Sequence, residues 1–176
     1  LAFATMALKS ARAGGLPVSE HAWLQIMSYL PQLDAAATTP LDLAAAAYCR
    51  VMLGFDADDA DLRAGVEHIM QALPELRRGG FDHRFVYLGT LVMFQVGGEH
   101  WRRWNAQVRD GLLELFADDG SLAPIGSDGV AGGGGGSAIY ATTLASMSLQ
   151  VYYRYLPVSA DAGRAGGGST AARAVH

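Results

Sequence analysis

Three carboxylates stand within four residues at Asp56-Ala57-Asp58-Asp59. Carboxylates this close raise one another's pKa. With burial, one of them stays protonated at neutral pH and can act as a general acid. The same residues can also do something simpler, which is to cap a helix and complement its dipole. They follow an apolar segment and lead into an amphipathic one, and that placement predicts the capping role.

Cys49 is the only thiol, so no internal disulfide can form. Zinc would need about four Cys, His or carboxylate ligands. The residue two before Cys49 is Ala47, and His21, His68, His83, His100 and His176 form no i, i+4 pair. The sequence therefore predicts no metal and no cofactor, with Cys49 as core packing. His100-Trp101-Arg102-Arg103-Trp104-Asn105 interleaves aromatic and basic residues, as single-stranded nucleic-acid sites do. Its two Trp fall on the core stripe of an amphipathic helix, however, which turns the Arg pair to solvent. The 13 Lys and Arg are scattered against 17 Asp and Glu, which excludes a basic nucleic-acid footprint. No apolar run approaches the roughly 20 residues a membrane span requires.

Lys9, Arg50, Gln95 and Gln150 interrupt otherwise apolar segments. A buried cation must be paired or must face a wet cavity. Together with Tyr48, Tyr87 and Tyr140 these residues form the candidate cavity-lining set. Local hydrogen bonding, or snorkelling to a helix end, is the structural alternative.

The elements that would position them repeat every 43 residues. Trp23, Ile26, Met27 and Leu30 recur as Val66, Ile69, Met70 and Leu73, then as Arg109, Leu112, Leu113 and Phe116. Leu8, Val51 and Phe94 keep the same step, as do Gly54 and Gly97. Such a period marks stacked helical hairpins. One helix of each pair is apolar all round: 2–13, 41–53, 85–96 and 139–155. The other is one-sided, with apolar residues at i, i+3, i+4 and i+7. The pattern predicts seven helices and no sheet, the inner set buried on all sides. Gly14-Gly15, Gly54 and Gly97-Gly98 should close inner helices. Ser19 and Asp61 should cap outer ones, and Pro31 and Pro74 should end them. Half the chain, 51%, is apolar and only 17% charged, which fits a large buried layer. The repeat domain is expected over 1–157, with a Gly-rich loop insertion at 126–137 and a disordered Gly/Ala-rich tail at 158–176.

Met6-Ala7-Leu8-Lys9-Ser10-Ala11, Tyr48 to Gly54, Gly89-Thr90-Leu91 with Phe94 to Gly98, and Tyr140 to Ala145 with Val151 to Pro157 carry a likeness. The stretch resembles the prenyltransferase and squalene-cyclase repeat superfamily, the terpenoid cyclase-like α/α toroids, and most of all its bacterial members of unknown reaction. The resemblance implies an all-α fold, an α/α toroid of repeated hairpins. At this period a closed ring of six hairpins would need roughly 260 residues, so the chain is expected to be an incomplete segment. The start at Leu1, without an initiator Met, adds to that expectation. Asp119-Gly120-Ser121-Leu122 departs from the Asp/Glu-Gly-Ser-Trp such repeats carry, with Leu122 in place of the stacking aromatic. Within the resemblance, Asp56, Asp58 and Asp59 match the Asp-x-Asp-Asp of class II terpenoid cyclases in spacing but not in placement. The Asp-x-Cys of the zinc prenyltransferases, the paired Cys of lanthionine cyclases and the Gly-Cys-Gly-Glu-Gln of the thioester toroids are missing.

Two functional classes follow. The first is a non-catalytic binding or scaffolding module in a larger bacterial protein, with the upstream repeats of the same chain, another protein or an apolar small molecule as partner. The second is an enzyme of terpenoid cyclase or prenyltransferase type, acting on an apolar isoprenoid-like ligand in the central cavity. The sequence assigns no compartment and no substrate.

Overall fold

The computed structural model describes residues 1–76, 82–122 and 135–151, with side chains left aside at 74–76 and 135–137. Seven α-helices span these residues: α1 Ala2–Ala13, α2 Glu20–Ala36, α3 Pro40–Leu53, α4 Ala60–Leu76, α5 His83–Val96, α6 Gly98–Leu113 and α7 Gly135–Leu149. The only extended pairing among the described residues is an isolated bridge between Phe116 and Leu122. The fold class is all-α.

Odd and even helices separate into two layers. The odd helices touch in the order α1–α3–α5–α7, and the even helices lie over them, α2 and α4 on α3, α6 on α5. This follows from the residue pattern. Helix α5 buries Phe85 through Met93 without a break, so no side of it can face water. Helix α6 buries only Trp104, Val108 and Leu112, a single stripe at i, i+4, i+8.

Local signals start the central helices. Thr39 and Asp42 form a reciprocal capping box around Pro40, at the first turn of α3. The Thr39 hydroxyl holds the Asp42 carboxyl below its ordinary pKa. Asp82 caps α5 by accepting from the Arg84 amide at 2.8 Å, and Ser19 caps α2 through the His21 amide. Gly54 ends α3 in the left-handed conformation that a residue with a Cβ avoids.

Four expectations need correction. Pro31 and Pro74 lie inside α2 and α4 rather than ending them. A proline removes one ladder bond, and the turn beyond Pro31 survives because Asp34 within it is tied to α3. Helix α4 is capped by Asp59, not Asp61: the Leu62 amide donates to Asp59 Oδ1 at 2.8 Å. Among the described residues, burial on all sides holds for α3 and α5 only. Helix α1 buries just Ala2 and Thr5, because it stands at the end of the inner row. Helix α7 begins at Gly135, four residues before the expected Ile139, so the last three residues of the 126–137 segment are helical. The rest of that segment, the end of the fourth inner helix and the tail at 158–176 lie outside the described residues.

The core closes through one near-contact. A Cβ placed on Gly89 would lie 2.8 Å from the Trp104 ring and 3.3 Å from Ile69 Cγ2. Gly89 thus lets α5 approach α4 and α6 at once. Trp104 is fully buried, and its Nε1–H donates to Thr90 Oγ1 at 3.0 Å. Gly89→Ala should lower stability by about 1–3 kcal/mol through overpacking, despite alanine's better helix propensity. Gly111, with open space about its Cα, gives the control: Gly111→Ala should raise stability by up to about 1 kcal/mol. Urea unfolding of the two variants checks both signs.

Candidate functional site

Arg50 is the most unusual side chain in the inner layer. It sits on apolar α3 with its side chain 5% exposed. Its Nη1 and Nη2 donate to the two carboxylate oxygens of Asp34 on α2, at 2.9 and 2.5 Å. Its Nη2 also reaches Asp61 on α4 at 3.2 Å, and its Nε lies 3.6 Å from Asp59. The hydrogen bond to Asp34, opposed by burial and aided by the charges of Asp34, Asp61 and Asp59, raises the guanidinium pKa above its ordinary value. One buried cation therefore joins three helices. The bidentate pair is the strong element of the set. Asp61 is 73% exposed, and its share is screened by water.

The acidic motif is spent in this arrangement. Asp59 caps α4 and faces Arg50. Asp56 accepts from the Asp58 amide at 3.0 Å, a local turn on the surface. A general acid needs a carboxyl withdrawn from water and from cations; Asp56 and Asp58 are exposed, and Asp59 faces a guanidinium.

The other candidates are spread over the inner row. Tyr87 is fully buried, and its hydroxyl approaches Met6 Sδ at 3.9 Å. Its ring stacks on Phe3 with centroids 6.4 Å apart. Helices α1 and α5 thus meet across the intervening α3. Tyr48 is buried in α3; Lys9, Gln95 and Tyr140 are half-buried; Gln150 is exposed. None of the seven lines the open apolar groove between α1 and α2, which is formed by Leu1, Ala4, Leu8, Ala22, Gln25, Ile26 and Tyr29.

Cys49 is fully buried, with its Sγ 3.5 Å from Thr5 Oγ1. Burial pushes its thiol pKa up, more than the Thr5 hydrogen bond lowers it. Among the described residues no group of three or more His, Cys, Asp or Glu is placed to hold a metal ion. His68 Nδ1 lies 2.7 Å from the Ala64 carbonyl, and His100 pairs with Glu67 at 3.1 Å on the surface. In the Trp-Arg segment, Trp104 is buried and Trp101 packs edge-on against Phe94, while Arg102 pairs with Glu99 in solvent. No described helix is long and apolar enough to cross a membrane.

Sequence reasoning missed Asp34, and a signal existed. A lone Arg in an apolar helix demands a carboxylate, and Asp34 is the only acid in the last turns of α2. Reading Pro31 as a helix end had placed Asp34 in a loop. Leu122 is fully buried, and its amide donates to Thr142 Oγ1 at 2.9 Å, joining the 117–121 turn to α7.

Searches against protein families, curated proteins and solved structures return no match to this chain.

Arg50→Ala should cost roughly 2–4 kcal/mol, because it leaves a void and removes the partner of the part-buried Asp34 and Asp59. Asp59→Asn should cost about 1 kcal/mol or less, since Asn still caps a helix and the 3.6 Å ion pair is long. Chemical denaturation of both variants tests the ranking. A thiol-specific chromogenic reagent should leave Cys49 unmodified in the native protein at pH 8 and modify it at once in denaturant.

Proposed function

We propose that this chain is a non-catalytic binding or scaffolding module, built as a segment of a terpenoid cyclase-like α/α toroid. Two observations support the toroid arrangement. The inner helices follow one another in chain order beneath an outer layer. Phe3 on α1 also reaches Tyr87 on α5 across α3, a contact compatible with a curved row.

The binding reading rests on where apolar surface remains. Among the described residues, six of the eight large exposed hydrophobics are Leu1, Phe3, Leu16, Leu24, Met27 and Tyr29, all on the first hairpin. Terminal units of repeat arrays carry such surface unless another unit covers it. Meanwhile Arg50, Asp34 and Asp59, the groups best suited to chemistry, hold helices together. Further hairpins of the same repeat type are the partners this edge fits.

Dye fluorescence and light scattering test the reading. The wild-type protein should bind a hydrophobic dye or self-associate, and a Leu24→Ser/Met27→Ser variant should do so several-fold less. A monodisperse, dye-negative wild-type monomer would contradict it. Turnover of an oligoprenyl diphosphate by the purified protein would replace it with the enzymatic reading.

A further inference from the structure

Helix α2 is attached differently from the other outer helices. Among the described residues, α4 rests on α3, α5 and α6, and α6 rests on α5 and α4, whereas α2 has its substantial packing on α3 alone. Toward α1 it leaves the groove of about 370 Å³ already described. In the second hairpin a Cβ on Gly65 would stand 3.2 Å from Ala47 Cβ, so α3 and α4 lie close there. The positions 43 residues earlier are Ala22 and Ala4, and both line the groove instead.

The ties that remain sit at the two ends of α2. At its start Arg12 pairs with Glu20 at 3.5 Å, both largely exposed, and lies over the Trp23 ring at 5.9 Å. Exposed pairs of this kind contribute little. At its end Pro31 has removed a ladder bond, and the turn that follows is held to α3 by the bidentate Asp34–Arg50 pair. Between these ends Trp23, Ile26 and Leu30 bury one stripe.

We propose that α2 is a latched strap: it lifts from α3 as a unit, with Asp34–Arg50 as the latch, while α3 to α7 stay folded. Local opening of this kind belongs to elements with few packing partners. The buried stripe keeps the open form a minor state. Arg50 retains Asp59 and Asp61 when Asp34 leaves, so opening does not strand a bare buried cation.

Hydrogen exchange read by mass spectrometry on the full chain tests this. In the wild-type protein the amides of α2 should exchange at least about tenfold faster than those of α3, α4 and α5. Asp34→Asn should accelerate α2 by about a further tenfold, the loss expected for a charged hydrogen-bonded pair, and leave α5 unchanged. Protection of α2 equal to that of α4 in the wild type would overturn the strap. So would Asp34→Asn accelerating every helix together, or leaving α2 as it was.

Discussion

The fold depends on one constraint: two consecutive inner helices have no side that water can wet. Helix α5 carries Phe85, Val86, Leu88, Leu91, Val92 and Met93 on every face. Burying each such side chain is worth about 1.5–3 kcal/mol, against a net stability of only about 5–15 kcal/mol for a whole domain. Helix α5 must therefore be enclosed, and its neighbours take their places from that need. Helices α3 and α7 flank it, and α4 and α6 cover it. Gly89 sets how close the cover can come, because its missing side chain is where Trp104 and Ile69 meet it.

A second feature follows from the first. An arginine in such a layer cannot stay unpaired, so Arg50 fixes the geometry of the elements around it. It takes Asp34 from the helix before and Asp59 and Asp61 from the helix after. The cluster marks the seam where α2 and α4 both rest on α3. That burial gives the acidic segment a structural use. It also makes the attachment of α2 unequal, strong at one end and loose along the side that faces α1.

Much of this was legible in the residue pattern, for physical reasons. The alternation of wholly apolar and one-sided segments reports burial directly, which is why α3 and α5 fall where their periodicity puts them; α6 instead ends at Leu113, which is exposed, and leaves Phe116 outside the helix. What local pattern could not report is tolerance. Proline is a reliable helix breaker only when nothing beyond it is anchored, and the Asp34–Arg50 pair supplies that anchor 16 residues away in sequence. Likewise the exposure of α1 depends on which neighbours it has rather than on its own residues. Leu1, Ala4 and Ala7 have the composition of a buried helix and the surroundings of an edge.

The account stands on α4, α5 and α6 meeting at Gly89. Nuclear Overhauser contacts from the Gly89 α-protons measure that meeting directly. The structure predicts strong contacts to the six-membered ring of Trp104 and to the γ2 methyl of Ile69, both in the same sample. Contact to only one of them, or to neither, would mean that the outer helices do not cover α5 as described, and the layered arrangement would have to be abandoned.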